Sequence, residues 1–457
     1  MSHSQVDQLS LDPAMRENLT ALGYTTLTPI QKQSLPVLLT GRDLIGKAKT
    51  GSGKTVAFGI GLLNRLDQQR FSAQGLVLCP TRELADQVAR ELRKLARYRP
   101  NTKILTLCGG QPIGPQIGSL EHGVDIVVGT PGRIQDHIRK GTLSLRDIHT
   151  VVLDEADRML EMGFADAINA ILGQTPPTRQ TLLFSATYPE AIAELAAAYL
   201  NNPVSVEVED ATQPTTIQQR FYRVEKSQKS EAILQILSTF QPESCLIFCN
   251  TKTTCEELAT FLKQHRYSAG ALHGDLDQPS RDKVLVQFSG RSLAVLVATD
   301  VAARGLDVEE LPCVISYDLT RDSDVHVHRI GRTGRAGKKG LAISLITESE
   351  TYKLEAIQER LNCELKVSEV PPGKNDFVPS KPSMVMLSIA AGRKNKIRPG
   401  DILGALTREG GIAGSQVGKI QIFDFVSYVA VKREAVGAAL DKLGAKIKGK
   451  RYKVRRS

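Results

Sequence analysis

At 457 residues with 41% hydrophobic content, the chain is too long for one core, and two or three domains are expected. It has no run of about 18 apolar residues, which excludes a membrane-spanning helix, and its first residues lack the pattern of a secretory leader, so a cytoplasmic protein is expected. Its 59 Lys+Arg and 49 Asp+Glu give a net charge of +10, yet residues 382–457 hold 16 basic and 5 acidic residues, against 43 and 44 in the remainder, so a polyanion-binding C-terminal segment is expected.

The first strand signal is Asp43-Leu44-Ile45. It leads to Ala48-Lys49-Thr50-Gly51-Ser52-Gly53-Lys54-Thr55 and then to a helical pattern through Val56, Phe58 and Leu62. A loop ending Gly-Lys-Thr between strand and helix aims backbone N–H groups and a helix N-terminus at phosphates. Lys54 is placed for the outer phosphates and the Thr55 hydroxyl for Mg²⁺. Ala48 stands where the general pattern has Gly, so the loop must begin in a conformation that an L-residue accepts.

Strand-like runs at 75–79, 125–128 and 181–184 alternate with helical patterns such as 81–95, the signature of a doubly wound parallel sheet. The run 150–153 ends in Asp154-Glu155-Ala156-Asp157, at the sheet edge where open α/β folds bind ligands. Asp154 is placed to hold Mg²⁺ through its water shell, and Glu155 to orient and polarise an attacking water.

Residues 201–214 turn polar and read as a linker. The α/β pattern restarts after Ile217, with runs at 245–248, 293–297 and 314–316 and no second phosphate loop. Seven scattered cysteines without a Cys-x-x-Cys pair predict free thiols rather than a zinc site. A second linker runs from Pro371 to Pro382. Beyond it, strands at 384–389, 418–423, 427–431 and 450–454 and helices at 399–407 and 433–443 give the order βαββαβ.

Over roughly residues 5–365 these strings resemble those of DEAD-box RNA helicases. Further matching residues are Gly23-Tyr24 with Pro29-Ile30-Gln31, Pro80-Thr81-Arg82-Glu83-Leu84, Gly109-Gly110 and Thr130-Pro131-Gly132-Arg133. Ser185-Ala186-Thr187, Gln278 with Arg281, the run from Ala298 to Asp307, and His328-Arg329-Ile330-Gly331-Arg332-Thr333-Gly334-Arg335 complete the set. The resemblance implies an α/β fold of two RecA-like doubly wound domains, 1–208 and 215–366, with ATP and RNA bound across their cleft. It assigns Gln31 and Tyr24 to adenine, Asp307 to the ribose, Gly305 to ATP binding, and Arg332 and Arg335 to the γ-phosphate as arginine fingers. Asp157, His328, Ser185 and Thr187 would link the nucleotide to the RNA. The RNA would be held by Pro80, Thr81, Arg82, Gly109, Gly110, Thr130, Gly132, Arg133, Gln278, Arg281 and Thr299. Those side chains and backbone amides suit phosphate and sugar rather than base edges. Val6 stands where the family often has an aromatic residue.

Residues 382–457 resemble the RNA-binding domain of the DbpA subfamily, an RRM-like fold. The resemblance implies binding to a 23S rRNA hairpin near the peptidyl-transferase centre, and a role in assembling the large ribosomal subunit, with no membrane or stable protein partner. Tyr428 is the one aromatic placed for base stacking on the sheet. Charge-led binding by Arg393, Lys394, Lys396, Lys446, Lys448, Lys450, Arg451, Lys453, Arg455 and Arg456 is better supported. The leading expectation is local, non-processive RNA unwinding driven by ATP. A DNA translocase on the same fold and an ATP-gated RNA clamp are the alternatives.

Overall fold

Short apolar runs joined by amphipathic helices pair as parallel strands, because a crossover helix returns the chain to the same sheet edge. The computed structural model describes residues 9–48, 51–67, 69–208, 217–303, 311–334, 339–374 and 377–457. Val6, Lys49, Thr50, Gly305, Asp307 and Arg335 lie outside the described residues. The chain divides into two compact units, Met1–Ala211 and Thr212–Ser457.

The strands of the first unit are β1 (Leu44–Lys47), β2 (Gly75–Leu78), β3 (Ile104–Leu107), β4 (Ile126–Gly129), β5 (Thr150–Asp154), β6 (Gln180–Ser185) and β7 (Val204–Glu207). They form one parallel sheet in the order β3-β4-β2-β5-β6-β1-β7. Strands β2, β4, β5 and β6 are buried along their whole length, which explains their continuous apolar runs. One apolar cluster, around Phe58, Leu92 and Phe184, lies under the helices Pro29–Leu39, Lys54–Asn64 and Arg82–Leu95. A second, around Ile134, Met159 and Ile168, covers the opposite face. Strand β7 falls inside the 201–214 stretch expected to be a linker. It pairs with β1 at the sheet edge, where only Val206 is buried, so its apolar signal is weak.

In the second unit, β8 (Ile217–Arg223), β9 (Cys245–Cys249), β10 (Ala269–Leu272), β11 (Val295–Thr299), β12 (Cys313–Ser316), β13 (Gly340–Ile346) and β14 (Val367–Glu369) form another parallel sheet. Its order is β10-β11-β9-β12-β13-β8-β14. The same unit carries a four-stranded antiparallel sheet of β15 (Met384–Ile389), β16 (Val417–Ile422), β17 (Ser427–Lys432) and β18 (Val454–Arg456), ordered β16-β17-β15-β18. The helices Pro399–Thr407 and Val436–Ala445 complete the expected βαββαβ order. The last strand starts later than its basic sequence indicates, at Val454.

Alternation divides the small sheet. Leu387, Ile389, Val429 and Val431 face its two helices. Met386, Tyr428 and Ala430 face the other way and pack on Val286, in the Gln278–Ser289 helix of the larger sheet's domain. Gln421 Nε2 donates to Ser289 Oγ at 3.4 Å beside this patch. Burial, with the Asp282 carboxylate, pushes the Tyr428 hydroxyl pKa up. The sheet face that carries Tyr428, the one ring placed for base stacking, is therefore covered by protein, which agrees with the preference for charge-led binding. The cysteines Cys79, Cys108, Cys245, Cys249, Cys255 and Cys313 are buried free thiols, as expected, and Cys363 is an exposed one.

The covered face yields a test. Val286→Asp places an unpaired carboxylate in this apolar contact, which costs several kcal/mol as a rule of thumb of about 3–5 for an uncompensated buried charge. The small domain should undock and keep its own fold. Limited proteolysis should then cut residues 371–383 faster than in the parent, with unchanged far-ultraviolet circular dichroism.

Candidate active site

The C-terminal ends of the parallel strands of the first unit lie along one edge, and the singled-out residues follow them. After β1, Ala48 N donates to Ser185 O at 3.1 Å, continuing the strand pairing. The Ala48 side chain is buried in the apolar cluster, and its φ is not positive, so an L-residue opens the loop without strain. The left-handed turn falls instead on Gly51 (φ 85°) and Gly53 (φ 95°), and Gly53 caps the Lys54–Asn64 helix. A Cβ on Gly53 would be strained at this φ and, 2.5 Å from Gln31 Nε2, would displace the Gln31 amide. Lys54 is buried, and its Nζ donates to Ala48 O at 2.8 Å, back across the loop. Among the described residues Ser52 Oγ is buried with no hydrogen-bond partner. Thr55 is half-buried at the helix start.

Gln31 is tied to this loop. Its Nε2 donates to Gly53 O at 3.1 Å, and its Oε1 accepts from Thr28 N at 2.9 Å as part of a capping box. Its remaining amide hydrogen and lone pair are what it can offer a base edge. Tyr24, half-buried against the same cluster, donates its hydroxyl to Glu91 Oε1 at 2.7 Å. Burial first, then that carboxylate, hold the phenol pKa above its ordinary value.

Strand β5 delivers Asp154, 3% exposed, to the same edge. Burial pushes its pKa up to about 6, against the opposing pull of Lys54. Its Oδ1 has no partner among the described residues. An orphaned buried carboxylate oxygen facing a cationic phosphate loop fits a hard divalent cation. Glu155 follows in the left-handed region, φ 53° and ψ 52°, a conformation that strains a non-glycine residue and recurs at functional sites. Asp157 Oδ2 accepts from Thr187 Oγ1 at 2.8 Å and Thr187 N at 3.1 Å, and Ser185 Oγ donates to Thr187 O at 2.6 Å. The acidic string and the Ser185-Ala186-Thr187 string thus meet between neighbouring strands.

The other expected RNA contacts of this unit follow β2, β3 and β4, which are adjacent in the sheet. Thr81 Oγ1 accepts from Leu84 N and caps the helix that Arg82 begins, after the buried Pro80. Arg82 Nε and Nη1 have no partner among the described residues. Gly109 and Gly110 follow β3, and Thr130, Gly132 and Arg133 follow β4. Two residues that the motifs did not mark join these loops. Gln116 donates to Cys108 O at 3.0 Å and accepts from Arg133 Nη1 at 2.9 Å, and His137 Nε2 lies 3.0 Å from its Oε1. Burial, then the Arg133 charge, lower the His137 pKa.

The second unit carries Thr299 at the end of β11, and Gln278 and Arg281 on the helix after β10. Gln278 Nε2 donates to Asp282 Oδ1 at 2.6 Å. Arg332 sits half-buried in the turn that follows the Ser323–Ile330 helix, and its carbonyl accepts from Leu311 N. His328 lies on that helix, its Nδ1 buried with no partner among the described residues. Between these residues sits Arg329, 1% exposed, to which sequence reading gave no role. Its guanidinium donates to Asp300 at 2.7 and 2.6 Å, to Asp318 O at 2.5 Å and to Asn250 Oδ1 at 3.1 Å. It therefore pins the residue after Thr299 to the helix before Arg332. Only the recurrence of three acceptors at strand ends could have signalled it. In the small domain, Arg393, Lys394, Lys448, Lys450, Arg451 and Lys453 are exposed.

Comparisons with known proteins show the family. Family models described as DEAD/DEAH box helicase, Helicase conserved C-terminal domain and DbpA RNA binding domain match residues 28–195, 228–337 and 386–456. The chain is 50% identical over 446 residues to "ATP-dependent RNA helicase DbpA" of Escherichia coli (strain K12), covering 97% of each chain. It is 43% identical to "DEAD-box ATP-dependent RNA helicase CshA" of Bacillus cereus, covering 80% of this chain and 69% of that one. Among solved structures, "S. cerevisiae Dbp5 bound to RNA and ADP BeF3" has a TM-score of 0.73 and 30% identity, covering 80% of this chain and 96% of that one.

His326, one turn from Arg329, gives a pH test. Burial, then the Arg329 charge, push its pKa down to about 4 from 6.5. The unfolded chain takes up this proton at higher pH than the native one, so stability is full above 6.5 and falls as pH drops toward 4. The loss at pH 4 is about 3 kcal/mol. Thermal melting of His326→Gln should show a shallower fall over that window. An unaltered profile would count against a buried neutral imidazole.

Proposed function

The chain belongs to the DEAD-box family of ATP-dependent RNA helicases, and from that premise we propose that it couples ATP hydrolysis to local, non-processive opening of 23S rRNA structure during large-subunit assembly. The observation that carries the enzymatic half is that a buried lysine, Lys54, bonded among the described residues only to the loop carbonyl of Ala48, and a buried carboxylate with an orphaned oxygen, Asp154, are held unpaired at one sheet edge. A desolvated cation and carboxylate held open at a sheet edge suit a polyphosphate and its counterion better than they suit folding stability.

In the proposed cycle, the loop from Ala48 to Thr55 wraps the phosphates with backbone N–H groups, and Lys54 exchanges Ala48 O for an outer phosphate oxygen. Thr55 and Asp154 would hold Mg²⁺, which offsets phosphate charge when bound. Glu155 orients the attacking water and polarises it toward the γ-phosphate. Arg332 and Arg335, from the second helicase domain, meet the charge that develops on the transferred group, so hydrolysis depends on both domains. Asp307 takes the ribose, Gly305 contributes to ATP binding, and Tyr24 and Gln31 take the adenine. Asp157, Ser185 and Thr187 carry the link toward the RNA loops, with His328 contributing from the second domain.

RNA would lie along the small residues, hydroxyls and arginines after β2, β3 and β4, and on Gln278, Arg281 and Thr299. Such a surface reads phosphate and sugar and leaves base identity unread. Selection of RNA then falls to the basic small domain, whose match to the DbpA RNA binding domain model supports RNA as its ligand, and a 23S hairpin is the target in this reading. A cytoplasmic site of action fits this reading. No described helix is long and apolar enough to cross a membrane.

The deciding experiment compares steady-state ATP hydrolysis with no nucleic acid, with RNA and with DNA of one sequence. RNA alone should stimulate it, and equal rates in all three would overturn the proposal. Glu155→Gln should slow RNA-stimulated hydrolysis by about a hundredfold or more and keep nucleotide affinity, because a positioned base contributes on that order. Removal of residues 382–457 should keep stimulation by generic RNA and erase preference for the ribosomal hairpin. Binding through this domain should weaken with salt at a slope of about −0.7 per phosphate neutralised on single-stranded RNA.

A further inference from the structure

The small domain has four aromatic rings, Phe423, Phe425, Tyr428 and Tyr452. Three are engaged. Phe423 and Tyr428 meet edge to face at 5.8 Å and pack in the cluster that includes Val286, and Tyr452 packs against the domain core. Phe425 is 73% exposed at the tip of the turn between β16 and β17. An exposed ring at a loop end gains nothing from folding, and the backbone that carries it is fixed by hydrogen bonds.

The turn closes with Phe423 N donating to Val426 O at 2.8 Å. From its side, Arg393 N and Lys394 N donate to Phe423 O at 2.8 Å and Asp424 O at 3.0 Å. A Cβ on Gly392 would lie 2.1 Å from Phe423 O, so only glycine permits this brace. The brace also brings charge. Arg393, Lys394 and Lys396 are exposed on the bracing segment, and Lys448 donates to Lys396 O at 3.2 Å from the adjoining turn. Asp424, 3.4 Å from Arg393 Nε, and Asp401, 3.8 Å from Lys448 Nζ, offset this rim only in part.

We propose that Phe425 is a stacking platform for an unpaired RNA base, with Arg393, Lys394, Lys396 and Lys448 holding the flanking phosphates. The proposal rests on the reading that the small domain binds RNA, and it names the surface that does so. Stacking and phosphate neutralisation are the two components of single-strand recognition, and they are usually supplied by a sheet face and its rim. Here the sheet face is taken by the Gln278–Ser289 helix, and both components are found together at one turn. A basic rim favours a nucleic acid over an apolar protein segment as the occupant. Because every base has a π-face, Phe425 sets affinity and the position of the strand, and base identity is read elsewhere.

The chain contains no tryptophan, so Phe425→Trp installs a sole indole reporter. The probe is a 23S rRNA hairpin fragment with single-stranded flanks, added to the full chain. Indole emission should be quenched saturably, at the concentrations where anisotropy of labelled RNA reports binding. Phe425→Trp should bind within about twofold of the parent, and Phe425→Leu about tenfold more weakly, as loss of one stacked base requires. Phe425→Leu should hydrolyse ATP at the parental rate with saturating oligouridine. Absent quenching, or leucine-variant affinity within about twofold of the parent, overturns the platform and leaves RNA binding by the small domain standing. Unchanged affinity for this fragment after removal of residues 382–457 removes the underlying reading, and the platform with it.

Discussion

The candidate site of the first unit depends on one constraint: in a parallel sheet all strands end on the same edge. Crossover helices return the chain to the opposite side each time, so the loops that follow the strands are assembled next to one another without any contact between their sequences. In the first unit, the order β3-β4-β2-β5-β6-β1-β7 places three RNA-type loops on one half of the edge and the phosphate loop on the other. Strands β5 and β6, which carry Asp157 and Thr187 at their ends, lie between the two halves. The hydrogen bonds between these residues thus join the two halves of the edge within this unit.

The edge carries destabilising features that the cores offset. Asp154 is a buried carboxylate with an unsatisfied oxygen, and Glu155 adopts a left-handed backbone at the same strand end. Each is costly alone, on the order of 1–3 kcal/mol. The strands beneath them are buried throughout, so the sheet does not relax to relieve the strain. A nucleotide and its counterion would satisfy what the fold leaves unsatisfied.

The short strings were legible because their chemistry is local. Gly53, Lys54 and Thr55 act through backbone turn and helix start, and the acidic string through the end of one apolar run. The sheet strands were legible from apolar runs wherever both faces are buried. Strand β7 was not, because an edge strand with one buried residue leaves almost no periodic trace. Arg329 was quoted within its motif and its role missed, since its acceptors Asn250, Asp300 and Asp318 come from three different strand ends. Gln116 and His137 were missed for the same reason. In the small domain, Tyr428 was legible as the ring on the sheet, and it lies on the face away from the domain's own core. Alternation gave no sign that Val286, more than a hundred residues earlier, would close that face.

The Gln278–Ser289 helix has Gln278 and Arg281 at its beginning and the small domain's sheet against its far half. This makes the small domain less portable than its separate sequence suggests. Grafted onto another helicase, it would meet a helix not shaped for Met386, Tyr428 and Gln421, and its orientation would be lost. The exchangeable module is the domain together with the helix face that carries Val286 and Ser289, and chimaeras built at the interdomain linker would cut through it.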